Sequence, residues 1–154
     1  MNVPMTDRSK EIARALREIE AALLARPVEA EALSLALAAR HPALVDAWML
    51  LARARLRLNA LGPAVEAARQ GALLSPSDPS AAILLVEALL RAGRTYEALD
   101  QLERVQKRVW GDAGLLQRVG QLYTHSGRHA AAEQCYSRAV ALAPNNPQIG
   151  RAHV

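Results

Sequence analysis

The chain contains no phenylalanine, a single cysteine, and lysine only at Lys10 and Lys107; its aromatic content is 3%. The lone Cys135 excludes an internal disulfide framework and fits a reducing compartment. The opening residues, MNVPMTDRSK, have no apolar core of the kind a signal peptide needs. No apolar run approaches the ~20 residues of a membrane span. These absences predict a soluble cytoplasmic chain with no membrane partner. There are also no alternating β-branched runs and no Asn-Gly turns, so no strand or hairpin is predicted. A nucleophile elbow, a Walker loop, GxGxxG and HExxH are all missing.

What is present is helix-forming and apolar. Half the residues are hydrophobic, and Ala and Leu dominate, both strong helix formers. A core poor in rings and rich in Ala suits close helix–helix packing. At 154 residues the chain falls within ordinary single-domain size. The net charge is +4, nearly all of the positive charge being Arg.

The organising stretch is 113–146, AGLLQRVGQLYTHSGRHAAAEQCYSRAVALAPNN. Leu116, Val119, Gly120 and Tyr123 form one helical stripe, and Ala132, Tyr136, Ala139 and Val140 form a second. Ser126-Gly127 separates the two helices, and Pro144 ends the second. Counting back in steps of 34 residues divides the chain into units 11–44, 45–78, 79–112 and 113–146 without insertion. One slot holds Ala in every unit: Ala30, Ala64, Ala98 and Ala132. The slot between the helices holds Ala25, Asn59, Gly93 and Gly127. Pro42, Pro76 and Pro144 recur near the unit end, where Trp110 takes the place of the third. The first helix is predicted over 9–25, with 1–8 disordered ahead of it. Asp78-Pro79 reads as an N-cap and first-turn Pro, Asp112 holds the slot of Asp78, and Thr95 is a candidate cap for its helix.

The period, with Trp48-x-x-Leu51-Ala52, Gly120-x-x-Tyr123, Ala132, Tyr136 and Pro144, resembles the tetratricopeptide repeat. The resemblance spans 11–146 and is strongest in the last unit. It implies an all-α solenoid of about four helix-turn-helix repeats, stacked as a right-handed superhelix whose first helices line a concave groove. On spacing, the face of each first helix opposite its packing stripe carries Met49, Arg53 and Arg57 in unit two and Glu87 and Arg91 in unit three. In unit four it carries Gln117, Gln121 and His125. These eight are the candidate peptide-binding groove. Arg binds carboxylates bidentately, so the mixture suits an extended partner segment with acidic character. The Lys/Asn clamp of tetratricopeptide domains that hold chaperone tails is not matched: Met49, Arg53, Leu84 and Gly114 stand there, with Arg118 alone basic at the last position.

The remaining residues are read structurally. Tyr123, Tyr136 and Trp48 are assigned to packing; Trp110 is read as a cover over the joint of units three and four, with a partly exposed anchor as the alternative. His125 and His129 straddle a turn, and Cys135 lies six residues further on. No metal, cofactor or catalytic residue is therefore expected, and the chain is read as not an enzyme. Glu18, Glu20, Glu29 and Glu31 are placed on solvated faces.

The leading functional reading is a protein-interaction scaffold. The alternative is the non-catalytic N-terminal region of a larger enzyme, because SGRHAAAEQCYSRAVALAPNNP resembles the repeats preceding a sulfotransferase domain in some bacterial proteins. RNA binding by helical repeats ranks below both, since nucleic acid is disfavoured by the small net charge and few aromatics. Asn146-Pro147 repeats the cap-plus-Pro start, so 147–154 reads as the beginning of a truncated fifth repeat. Tyr136, Val140 and Leu142 are expected to face that end, with Ile149 and Val154 covering part of it. An open end of that kind predicts either a longer natural chain or a homodimer through the C-terminal face.

Overall fold

The structure, a computed structural model, describes residues 6–151. The described residues are helical throughout, joined by short turns, and contain no strand. They fall into two compact units, one up to Pro76 and one from Ser77 onward.

The first unit holds α1 (Asp7–Ala25), α2 (Pro27–Arg40), α3 (Val45–Arg57) and α4 (Leu61–Leu74). Each helix packs on the next, and α1 also reaches α3. α1 starts two residues before the predicted position because the Thr6 side chain caps it, accepting from Ser9 N at 3.2 Å. Asp7 and Arg8 are thus helical rather than part of a disordered segment, and residues 1–5 lie outside the described residues. Pro27 opens α2 at a position where its missing N–H is not needed. The core is small-residue packing, Ala22, Ala30, Ala38, Ala47 and Ala54 around Ile19, Leu37 and Leu50. Ser34 is buried, and its hydroxyl donates to Ala30 O at 2.6 Å. Glu31 is not on a solvated face as expected. It pairs with the half-buried Arg55 at 3.3 Å, while Arg55 Nη1 donates to Pro63 O, tying α2, α3 and α4 together. Trp48 is half-buried, and its indole N–H donates to Pro42 O at 2.9 Å.

The second unit holds α5 (Pro79–Arg91), α6 (Thr95–Arg108), α7 (Ala113–His125), α8 (His129–Leu142) and the short α9 (Pro147–Arg151). α5 pairs with α6 and α7 with α8; α5 and α6 both contact α7, and α9 packs on α7 and α8. Asp78 and Asp112 cap α5 and α7, accepting from Ser80 N and Leu115 N. Thr95 does not cap α6. Arg94 holds the cap position without a side-chain bond, and Thr95 is already the first helical residue.

The slot between paired helices has a conformational meaning. Asn59, Gly93 and Gly127 all adopt positive φ, at 58°, 77° and 78°. Each lies in a six-to-one turn closed by Ala60 N to Arg55 O, Arg94 N to Leu89 O, or Arg128 N to Tyr123 O, at 2.8–2.9 Å. Ala25 breaks the pattern: α1 runs through it, and the chain turns at Arg26 with φ −137°. The Ala slot is buried in every repeat, with Ala30, Ala64 and Ala98 fully inaccessible and Ala132 nearly so.

Gly120 and Tyr136 explain the packing of α7 on α8. Tyr136 lies across the bare backbone at Gly120, so close that a Cβ there would come 2.6 Å from Cε1 of the ring. The Tyr136 side chain is therefore buried inside the hairpin and does not face the C-terminal end. Val140 and Leu142 do remain exposed, whereas Ile149 of α9 is buried. Val154 lies outside the described residues.

Candidate functional site

In the second unit, α5 and α7 bound a cavity of about 640 Å³. α5 is apolar through nearly its whole length, with Ala81 to Val86 buried in succession. Its polar breaks, Glu87 and Arg91, fall one turn apart on one face. α7 answers with Arg118, Gln121 and His125, spaced three and four residues apart. Ile83, Leu90 and Leu122 supply the apolar part of the lining, and Thr95 and Ser126 border it. Arg118, absent from the sequence-based groove set, belongs to the cavity. It stands three residues before Gln121, so helical spacing from Gln121 could have found it.

Two arginines against one glutamate leave the cavity at +1 with His125 neutral and +2 with it protonated. Among the described residues, Arg91, Arg118 and His125 have no ion pair or side-chain hydrogen bond, so their donors are available to a ligand.

Of the eight residues predicted for a groove, Glu87, Arg91, Gln121 and His125 come together here. Arg53 and Arg57 are exposed on α3 in the first unit, and Arg57 Nη2 donates to Leu24 O at 3.3 Å. Met49 departs from the expectation. It is buried, its Cγ in van der Waals reach of the space that Gly71 on α4 leaves open, so it offers no contact surface. Gln117 also departs from it: its side-chain amide donates to Gln148 O at 3.2 Å and is engaged with α9.

A second cavity, about 870 Å³, lies between α6 and α8 of the same unit. Its lining includes Tyr96, Asp100, Glu103 and Lys107 from α6, Gln134 from α8, and Trp110 from the turn after α6. The edge of Tyr123 reaches it, and that phenol donates to Gln106 Oε1 at 2.7 Å. Burial, then the neighbouring Cys135 and the Glu103 charge, push the Tyr123 hydroxyl up to about 12. Burial alone pushes the Cys135 thiol up to about 11, which leaves it protonated and unreactive at neutral pH. His125 ends α7 and His129 begins α8, on either side of the Gly127 turn. Among the described residues no group of three His, Cys, Asp or Glu converges as metal ligands would. No described helix is long and apolar enough to cross a membrane.

Tandem helical hairpins, an Ala at each crossing and a left-handed residue between the helices of three of the four pairs are features of the tetratricopeptide fold. Residues 113–146 match the tetratricopeptide repeat family model, and the chain has the tetratricopeptide fold. No curated protein matches it. Among solved structures, TTC0263, a thermophilic TPR protein of Thermus thermophilus, superimposes with a TM-score of 0.73 at 24% identity, over 92% of this chain and 78% of its own. YrrB, described as a TPR protein with an unusual peptide-binding site, gives 0.65 at 18% identity, over 95% and 85%. MamA gives 0.64 at 17%, over 97% and 82%. Likeness at these identities establishes the fold.

Proposed function

We propose that the chain is a protein-interaction scaffold whose α5–α7 cavity holds an extended partner segment of acidic character. The observation that carries this is the cluster of Arg91, Arg118 and His125, free of internal partners, around the apolar Ile83, Leu90 and Leu122. Guanidinium groups bind carboxylates bidentately, and the apolar lining accepts the side chains between the acidic positions. Gln121 can donate to or accept from the segment's backbone. Glu87 disfavours a run of carboxylates at its own position and so fixes register. Arg57 holds in α3 the repeat slot that Arg91 and His125 hold in α5 and α7. The exposed Arg53 and Arg57 of the first unit form a separate basic patch that suits the same class of ligand. That YrrB is described as having a peptide-binding site supports the class of ligand.

The test is a fluorescence-anisotropy titration of the full chain with labelled peptides that alternate Glu or Asp with Leu. Affinity should fall as salt rises, because exposed charges supply part of the attraction. The Arg91→Ala, Arg118→Ala pair should weaken binding about tenfold or more. Binding unchanged in that pair would refute the reading. The observed cavity bears less directly on the alternative of a non-catalytic region within a larger enzyme.

A further inference from the structure

The face of the second unit formed by α6 and α8 carries its own recognition features: two carboxylates, Asp100 and Glu103, stand between Lys107 and Arg128, where the α5–α7 cavity has two arginines against one glutamate. Tyr96, Asp100, Glu103 and Lys107 succeed one another at intervals of four, three and four, and so form one stripe along α6. The two carboxylates are central in that stripe. Asp100 is paired with Arg104 at 3.2 Å, but both side chains are more than half exposed, so the pair is weak and exchangeable. Among the described residues Glu103 has no ion pair or hydrogen bond.

Trp110 supplies an anchor. It is 41% exposed, yet its position is fixed. The Arg138 guanidinium lies 5.6 Å from the indole centroid, and Arg138 Nε donates to Trp110 O at 3.1 Å. An exposed but pinned indole loses little freedom on binding, which is why Trp recurs at interface hot spots.

We propose that the α6–α8 groove binds an extended segment of a partner protein in which one Lys or Arg stands beside an aromatic or large aliphatic residue. The cation pairs with Asp100 and Glu103, and the apolar side chain packs on Trp110 and Leu99. Lys107, one turn beyond Glu103, and Arg128, at the head of α8, flank the carboxylates and disfavour a polybasic run. The carboxylates equally disfavour a nucleic-acid backbone. The proposal uses a different face from the α5–α7 reading and does not rest on it.

The experiment uses the full chain and two fluorescein-labelled nonapeptides, Gly/Ser-rich except for a central Lys-Phe in one and Glu-Phe in the other. The Lys-Phe probe should bind saturably and the Glu-Phe probe at least about tenfold more weakly. Asp100→Asn with Glu103→Gln, and separately Trp110→Ala, should each weaken the Lys-Phe probe by about tenfold. Arg91→Ala with Arg118→Ala should leave it within about twofold, which separates this groove from the other. Should Trp110→Ala lose its helical circular dichroism, the carboxylate pair, which is on the surface, still decides the matter. Equal binding of the two probes would overturn the proposal. So would no saturation below about 1 mM, or affinity that is insensitive to the carboxylate pair.

Discussion

Two interior helix glycines allow packing to be separated from helix propensity by one substitution made twice. Gly→Ala in a helix interior gains about 0.8–1.0 kcal/mol from propensity alone. At Gly71 the new Cβ would meet Met49 Cγ at 3.4 Å and Trp48 Cβ at 3.8 Å, which is ordinary contact with a flexible thioether chain. Most of the gain should survive, raising stability by about 0.5–1 kcal/mol. At Gly120 the new Cβ would lie 2.6, 2.9 and 3.0 Å from three atoms of the Tyr136 ring. Carbon atoms pack at about 3.5–4.0 Å, so the ring must withdraw by about 1 Å. That shift loosens the buried ring and the 3.2 Å contact of its hydroxyl with Thr124 Oγ1. Overpacking of this kind costs about 1–3 kcal/mol, and three ring atoms in conflict place it in the upper half. The net effect of Gly120→Ala should be a loss of about 1–2 kcal/mol, or roughly 2–8 °C in Tm for a chain of this length. Thermal and urea denaturation followed by far-ultraviolet circular dichroism measures both. In a Tyr136→Ala background the Gly120→Ala loss should vanish or reverse, because the conflicting ring is gone. A Gly120→Ala protein as stable as the parent would refute the reasoning, as would equal shifts of the same sign at both sites.

Ala98→Leu and Ala132→Leu should each destabilise by about 1–3 kcal/mol, since both sit at buried helix crossings; unchanged thermal midpoints would contradict the packing. Asp112→Ala removes the cap on Leu115 N and should lower stability by about 1 kcal/mol in the same melts. Tyr123 and Cys135 keep their protons in the fold at pH values where the unfolded chain has lost them. Their stability contribution is whole below pH 9 and declines as pH rises, through about 11 for the thiol and about 12 for the phenol; alkaline denaturation at stepped pH reads it. Cys135 should react with a disulfide reagent at neutral pH only on the timescale of unfolding.

The helical framework was readable in the sequence because the repeat constrains each position several times over. The 34-residue count puts Val45, Pro79 and Ala113 at matching slots, and these are the first residues of α3, α5 and α7; α3 was expected from about Ala43, and α1 begins at Asp7, four residues ahead of Glu11. The slot of Asn59, Gly93 and Gly127 was readable as a break because a left-handed residue favours Gly or Asn. Ala25 cannot adopt that conformation cheaply, and α1 turns differently there. Thr95 misled because Thr is a good cap by composition. The six-to-one turn at Gly93 instead brings Arg94 into the cap position and starts the helix one residue before a threonine cap would allow.

The candidate sites were less legible, for a reason that particular residues show. Counting slots decides which side of a helix a residue occupies, but not whether a neighbour has already engaged it. Met49 and Gln117 held groove slots, yet one fills the space over Gly71 and the other bonds Gln148. Tyr136 was read both as hairpin packing and as part of an exposed terminal stripe; a glycine sixteen residues earlier draws its ring into the hairpin, in line with the first reading and not the second. Trp110 shows the converse. It replaces a repeat proline, and sequence alone reads it as a cover over a joint, with a partly exposed anchor as the alternative. What makes it a candidate anchor is Arg138, twenty-eight residues later, holding the indole from one face and its carbonyl through Nε. Repetition encodes the scaffold by stating each packing rule several times. Its departures, Trp110 for proline and Arg118 beside Gln121, are stated once, and only the fold brings their partners to them.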